Sequence, residues 1–195
     1  MVSFQNLILA FSATAYITAA SQLQWTDCGS DPGLVISSLS ITPMPMEIPG
    51  SISLSVSART SVPIPEDMTI SLIIKRHTFL LDVPLPCFLH IGSCTYENTC
   101  SKPLVDTLIS ENWAGITADI GQQIKTMLST LPALNTTCPP PVPASIAVNN
   151  YSIRLPAIPA ILTFIVDGDY SVVATARDKA TGHTLMCVFF EMSIK

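Results

Sequence analysis

The sequence predicts an all-β protein, a sandwich or open cup, on three observations. Apolar and polar residues alternate along several short segments, which is typical of half-buried strands. Prolines such as Pro43, Pro63 and Pro156 stand between these segments, where they mark bends and strand edges. Segments 170–176 and 184–194 flank a polar turn and predict a hairpin. Many short strands separated by turns favour a sandwich over an α/β enzyme.

The clearest alternation lies at residues 51–57. Ile52, Leu54 and Val56 are interleaved there with serines, which predicts a strand with one apolar face. The same period recurs at 68–74, before a short basic run, and residues 35–42 form a third candidate. These segments supply the first half of the predicted sheets.

One region, between Cys100 and Cys138, has the spacing of a helix instead. Its apolar residues recur at intervals of three and four, which predicts one amphipathic helix ending at Pro132. A glycine inside the helix, Gly121, costs about 1 kcal/mol. Few cations lie on the polar face, so we favour packing on the sheets over a helix lying on a membrane. The stripe consists of Ile116, Ile120, Ile124, Met127, Leu128 and Leu131.

The first twenty residues are predicted to be a signal peptide. Residues 1–20 carry no charged side chain, and Thr18 and Ala20 fit the small-residue positions before a cleavage site. The alternative is a membrane anchor, but a span needs about 20 strongly apolar residues and this run is interrupted by hydroxyl side chains. We therefore expect a secreted or lysosomal-lumen protein with one domain at 21–195.

Cysteines and sequons agree with an exported protein. All six cysteines lie in the predicted mature chain, and an even count there predicts three disulfides, with 15 possible pairings. Their spacing does not match a zinc site. Asn135 and Asn150 each begin an N-x-S/T triplet and are predicted glycosylation sites.

The composition argues against several other functions. The 9 basic and 14 acidic residues give a net charge of −5, which disfavours a nucleic-acid binder. Charged residues make up 12% of the chain and hydrophobic ones 48%, the reverse of a disordered protein. The three histidines lie in no nucleophile or metalloprotease motif, and no phosphate-binding loop occurs. We therefore expect no catalytic residues, no metal and no cofactor, with an esterase or glycosidase as the remaining enzymatic alternative.

The cysteine-rich stretch carries a specific resemblance. The run Cys87-Phe-Leu-His-Ile-Gly-Ser-Cys94-Thr-Tyr-Glu-Asn-Thr-Cys100 resembles the ML lipid-recognition domain family, and within it the lysosomal ganglioside-activator type. The likeness extends over most of the mature chain. It includes the run Trp25-Thr-Asp-Cys28 and residues 38–43, 48–56, 60–63, 167–172 and 182–187.

This resemblance implies a fold and a disulfide pairing. The implied fold is an immunoglobulin-like β-sandwich, or β-cup, with a central lipid cavity, three disulfides and one inserted helix. The implied pairs are Cys28–Cys187, Cys87–Cys94 and Cys100–Cys138. A fourth bridge of the activator type has lost both of its cysteines here, and segment 101–138 is longer than in that type.

The resemblance also implies where a lipid would lie. Alternation itself does not separate a cavity lining from an ordinary core. The implied cavity residues are Leu39, Ile41, Leu54, Val56, Ile70, Leu72, Val172 and Phe189. The implied membrane-contacting rim loops contain Phe79, Leu80, Leu81, Ile158, Ile161, Leu162 and Phe164.

Two functions remain open from the sequence. The first is a non-enzymatic protein that extracts a glycosphingolipid from an anionic membrane and presents it to a lysosomal glycosidase, a β-hexosaminidase in the activator type. The second is a secreted lipid-binding module for lipid carriage, signalling or immunity, with no enzyme partner. Phe79, Leu80 and Leu81 follow the basic run Lys75-Arg76-His77 and suit contact with an anionic bilayer in either case.

Overall fold

The computed structural model describes residues 23–29, 33–60, 62–132, 138–139, 144–165 and 167–195. The predicted signal peptide therefore lies outside the described residues. The described part holds nine strands and two α-helices. In chain order these are β1 (Gln24–Asp27), β2 (Leu34–Thr42), β3 (Gly50–Thr60), β4 (Asp67–His77), β5 (Asp82–Pro84), β6 (Thr95–Thr99), α1 (Leu104–Glu111), α2 (Thr117–Ser129), β7 (Ala144–Leu155), β8 (Gly168–Asp178) and β9 (Thr184–Ile194).

The strands form two antiparallel sheets, as the all-β prediction requires. The larger sheet has the order β1–β9–β8–β4, and β5 and β6 both pair with the far side of β4. The smaller sheet has the order β2–β3–β7. The predicted strands at 35–42, 51–57 and 68–74 and the C-terminal hairpin are all confirmed.

The smaller sheet has one apolar and one polar face, because its register aligns the alternating residues of three strands. Leu39 pairs with Val56, and Val56 pairs with Val148. On the opposite face, Ser40 pairs with Ser55. The serines that alternate in the sequence therefore face outward, and the apolar residues face the other sheet.

The larger sheet shows the same alternation. Leu72 pairs with Ala174, and Ile74 pairs with Val172, on the face where Tyr170 and Val188 are buried. Ile73 points to the other face and is exposed.

Two helices, rather than the single predicted one, occupy the segment between Cys100 and Cys138. The predicted stripe at 116–131 corresponds to α2, whereas α1 precedes it and was missed. Helix α1 has two turns, too few for a helical period to stand out in a sequence. It ends at Asn112, whose φ of 42° is the left-handed conformation that asparagine tolerates.

Helix α2 packs on the apolar face of the smaller sheet, as predicted, and not on a membrane. Met127 and Leu131 form a buried cluster with Val148 of β7. Partly buried apolar residues surround this cluster, namely Leu54, Val56, Ile124, Leu128, Ile146 and Tyr151. The helical stripe thus covers the β7 side of the sheet's inner face.

Helix α2 also covers the free edge of β7. The backbone N–H of Arg154 donates to Gln123 Oε1 at 2.7 Å, and Gln123 Nε2 donates to the carbonyl of Arg154 at 3.0 Å. The Gln123 amide in this way replaces a neighbouring strand at a position where an edge would otherwise be unpaired. An ion pair between Arg154 and Asp119, 3.0 Å apart, lies beside it.

The three disulfides have the pairing that the resemblance implies: Cys28–Cys187, Cys87–Cys94 and Cys100–Cys138. The first closes a loop of 159 residues and so ties β1 to β9 near both ends of the domain. In the loop-entropy model such a crosslink has a ceiling of about 5 kcal/mol.

Gly121 permits the close approach of the two helices, and its replacement tests that packing. A Cβ there would lie 2.9 Å from Ile109 Cγ1 and 3.1 Å from Leu108 Cβ. Gly121→Ala should therefore lower the urea midpoint of unfolding, although alanine alone would favour the helix by about 1 kcal/mol. Ser129→Ala, at an exposed position of the same helix, is the control and should leave the midpoint nearly unchanged. A higher midpoint for Gly121→Ala would contradict this packing.

Candidate functional site

The space between the two apolar faces is the candidate site. Seven of the eight predicted cavity residues lie on these two faces: Leu39, Ile41, Leu54 and Val56 on the smaller sheet, and Ile70, Leu72 and Val172 on the larger. Val172 is buried, but the other six are only half-buried. In a closed sandwich, side chains from the two inner faces interdigitate and exclude solvent. The half-buried inner faces therefore indicate that the sheets enclose open space.

A cavity of about 160 Å³ marks one end of this space. Its lining comes from both sheets, with Leu34 on β2, Met68 on β4 and Ala176 on β8. Thr60 also lines it, but its hydroxyl oxygen lies 2.8 Å from the carbonyl oxygens of Gly33 and Val62. Because that hydroxyl already has acceptors, the cavity is chemically apolar.

The eighth predicted cavity residue, Phe189, lies on the wrong face. It pairs with Val173, whereas its neighbour Phe190 pairs with Val172. Side chains alternate between the faces of a strand, so Phe190 shares the inner face and Phe189 points away from it. The prediction was wrong because β9 is apolar on both faces, so its sequence does not show which residues point inward.

Leu54 and Val56 have a second role. Both pack against the buried cluster of Met127, Leu131 and Val148. They are thus part of the core beneath α2 as well as part of the inner face. Leu39 and Ile41 lie on β2, which β3 separates from β7, and do not belong to this cluster.

An exposed apolar turn, here called the tip, joins β4 to β5. The tip comprises Phe79, Leu80 and Leu81, whose residues are 100%, 84% and 60% exposed. Thr78 holds its base, since the Thr78 hydroxyl donates to the carbonyl of Leu81 at 2.6 Å. His77 Nδ1 lies 2.7 Å from an oxygen of Asp82 across the same hairpin.

The second predicted rim segment is only partly exposed. Ile161 is 58% exposed and Ile158 is half-buried, but Leu162 is completely buried. Leu162 is therefore a core residue, which corrects its assignment to the rim. It lies in a short 3₁₀ helix, Ala160–Ile165, where one face turns inward. The side chain of Phe164 lies outside the described residues.

The tip and this segment lie at the same end of the molecule. Segment 160–165 leads into β8, whose Asp169 pairs with His77 next to the tip. Arg76 Nη2 donates to the carbonyl of Asp167 at 2.6 Å. The cavity at Met68 and Ala176 lies at the opposite ends of the same strands.

The structure describes one of the two predicted glycosylation sites. Asn150 is exposed, and Asn135 lies outside the described residues. No cluster of three or more metal-ligating side chains occurs in the described part of the chain. Within the same residues, no helix has the length and apolarity needed to cross a bilayer.

Comparison with known proteins decides the family. The ML domain family matches residues 22–194, nearly all of the chain. This chain belongs to the ML-domain family. The ganglioside GM2 activator of Macaca fascicularis is 35% identical to this ML domain over 106 residues, covering 53% of this chain and 54% of the relative. That of Mus musculus is 38% identical over 87 residues, or 44% of each chain. The chain thus spans about half the length of the curated relatives it matches.

Two solved structures are also similar to this ML domain. A Niemann-Pick type C2 protein from Japanese carpenter ant has 16% identity and a TM-score of 0.40, covering 88% of this chain and 99% of its own. Chicken MD-1 complexed with lipid IVa has 10% identity and a TM-score of 0.39, covering 88% of each chain.

Three aromatic rings, not singled out by the sequence analysis, join the helices of this ML domain to its larger sheet. Trp113, in a short 3₁₀ turn between α1 and α2, stacks on His90 and Tyr96 with ring centroids 4.8 and 5.4 Å apart. The Tyr96 hydroxyl donates to the carbonyl of His90 at 2.8 Å, and burial raises the pKa of Tyr96. Glu111 accepts a 2.7 Å hydrogen bond from the indole N–H of Trp113. A sequence alone gives no signal for this cluster, because its members lie in three separate segments.

The contact between Glu111 and Trp113 has a defined pH dependence. The hydrogen bond from Trp113, followed by that from Lys102, holds the pKa of Glu111 below its ordinary value of 4.5. The ionised carboxylate therefore stabilises the folded state above its ordinary pKa, and this stabilisation is lost as the pH falls through the lowered value.

Trp113 fluorescence reports this titration in a Trp25→Phe background, where Trp113 is the remaining tryptophan. We expect a fluorescence transition with its midpoint below 4.5 that depends on the Glu111 carboxyl. Glu111→Gln is the control, because a glutamine accepts the same hydrogen bond but does not titrate. A midpoint at or above 4.5, or an identical transition in Glu111→Gln, would contradict the assignment.

Proposed function

We propose that this protein binds the acyl chains of a lipid between its two sheets and transfers the lipid out of a membrane. The observation that carries the proposal is the pair of apolar inner faces that stay half-buried and continue into an apolar cavity. Burying one methylene group is worth about 0.8 kcal/mol, so an acyl chain gains substantially by entering such a space. The proposal involves no catalytic residue, metal or cofactor.

The tip supports an orientation on the membrane. Three adjacent apolar side chains at 60% exposure or more are unfavourable in water and favourable in the interfacial region of a bilayer. Ile161, exposed at the same end, adds to this surface. The exposed Lys75 lies two strand positions behind the tip hairpin, where it would meet anionic headgroups.

The lipid class is proposed from the relatives. The two curated relatives are ganglioside GM2 activators, which favours a glycosphingolipid as the cargo of this chain. In this proposal the protein extracts the glycolipid, shields its acyl chains and presents the sugar headgroup to a lysosomal β-hexosaminidase. It would act after secretion or delivery to the lysosomal lumen, with glycans at Asn135 and Asn150.

A second function is favoured by one departure from the activator pattern. The segment between Cys100 and Cys138 holds two helices and lacks both cysteines of a fourth bridge. A changed surface there is compatible with a secreted lipid carrier that has no enzyme partner. The lipid-binding part of the proposal is common to both functions.

Removing the apolar tip tests the extraction step. A variant with Phe79, Leu80 and Leu81 all replaced by serine should extract lipid from anionic vesicles at least tenfold more slowly, because the apolar contact with the bilayer is lost. The fold should survive, since these side chains are largely exposed. Ile73→Ser, which removes an exposed aliphatic side chain from the outer face of β4, is the control and should extract normally. Equal extraction rates for the tip variant and the control would contradict a role for the tip.

A hydrolysis assay separates the two functions. Vesicles containing a ganglioside are incubated with β-hexosaminidase, with and without the protein. The activator function predicts faster release of the terminal sugar when the protein is present, and little stimulation by the tip variant. Extraction of the ganglioside without faster hydrolysis would instead support the lipid carrier.

A further inference from the structure

A second cavity, of about 330 Å³, lies between β6 and the first helix. Its lining residues come from β6, α1, the turn at Trp113, the Cys87–Cys94 loop and the turn between β8 and β9. This volume is at the lower end of the range of small-molecule pockets, roughly 300 to 1,000 Å³. This cavity is separate from the cavity at Met68 and Ala176, because the two share no lining residue.

The aromatic stack described above lines this cavity. His90, Tyr96 and Trp113 contribute near-parallel rings, inclined by 23° and 18° to that of Trp113. The backbone that positions them is strained, since His90 has a φ of 61° and Ala114, next to Trp113, one of 51°. Such a conformation persists only where the surroundings enforce it. The rings are therefore held in place in advance of any ligand.

Charged groups of both signs surround the rings. Lys102 lies 3.2 Å from Glu111, and Lys179 lies 2.7 Å from Glu97. Both lysines line the cavity, and each is already paired with a glutamate, of which Glu97 also lies in the lining. All four side chains are between 40% and 70% exposed and can reorient towards a ligand.

We propose that this cavity binds a neutral pyranose, as a sugar or the terminal residue of a glycan. A pyranose has an apolar C–H face, which packs on aromatic rings, and a periphery of hydroxyls, each both a donor and an acceptor. Lys102, Lys179 and Glu97, all in the lining, offer charge-assisted hydrogen bonds to such hydroxyls. Thr95 and Thr99, also in the lining, offer further hydroxyl partners. Because each lysine is already paired with a glutamate, a neutral sugar is favoured over an acidic one.

The cavity lies far from the tip. Glu97, in its lining, pairs with Thr69 on β4, eight residues before His77 at the base of the tip. At about 3.3 Å per residue this is a separation of about 26 Å. A sugar could therefore bind here while the tip contacts a bilayer, and the inference does not depend on the proposed lipid function.

The test uses the mature protein with Trp25→Phe, so that Trp113 in the cavity reports binding. The probes are methyl β-D-glucopyranoside, methyl β-D-galactopyranoside and methyl N-acetyl-β-D-glucosaminide. We expect a saturable change in Trp113 fluorescence with a Kd in the millimolar range for at least one of them, and saturation-transfer NMR signals from the same glycoside.

Two lysine variants locate the binding. Lys179→Ala removes a charged donor from the cavity lining and should weaken binding about tenfold. Lys125→Ala breaks a comparable ion pair, with Asp106 at 2.8 Å, that joins α2 to α1 outside the lining, and should bind like the parent. The proposal is overturned if none of the three glycosides gives a saturable change and saturation transfer, or if Lys179→Ala and Lys125→Ala bind equally.

Two further experiments distinguish a glycoprotein from a glycolipid as the source of the sugar. Ribonuclease B and ribonuclease A differ in an N-linked glycan, so a response to the first alone would indicate a glycoprotein ligand. Phosphatidylcholine vesicles with and without glucosylceramide test a glycolipid source in the same way. Either response must be weakened by Lys179→Ala for the cavity to be its site.

Discussion

The packing of α2 on the inner face of β3 and β7 is the contact on which the arrangement of the two sheets depends. On one side, the sheets are joined directly, because the segment after β2 hydrogen-bonds to the end of β9: the N–H of Met46 donates to the carbonyl of Ser193 at 2.7 Å. On the other side, the helical hairpin joins them, with α1 against β6 and α2 against β7. Met127 and Leu131 therefore do more than fill a core. They also cover the part of the inner face of the smaller sheet that includes Leu54, Val56 and Val148.

The low share of charged residues in the chain agrees with an apolar space between the sheets. Charged residues make up 12% of it, about half the usual share. In an ordinary sandwich the inner apolar residues would pack to crystal-like density. Here Leu39, Ile41, Ile70 and Leu72 remain half-buried, and an unpaired charge among them would be costly. The scarcity of charge thus fits an apolar interior that stays open, together with an apolar tip.

Much of the fold was predictable, because strand alternation and turn residues are local signals. The register of β3, with Ser55 outward and Leu54 inward, follows from the sequence alone. The sequence does not show which residues of β9 point inward, because both faces of this strand are apolar. Phe189 is therefore predicted in place of Phe190. Leu162 was assigned to an exposed rim because an apolar loop gives no indication of which side chain turns inward. The cluster at Trp113 depends on contacts between distant segments, which no local pattern encodes.

The position of a bound acyl chain can be measured directly by NMR. The protein is prepared with ¹³C-labelled methyl groups and loaded with an unlabelled glycosphingolipid, and intermolecular NOEs to the acyl methylenes are recorded. A lipid bound between the sheets gives NOEs to the methyls of Leu39 and Leu72 on the inner faces, and none to Val35 and Ile73, which are exposed on the outer faces. NOEs to Val35 or Ile73 without any to Leu39 and Leu72 would show that the lipid does not lie between the sheets.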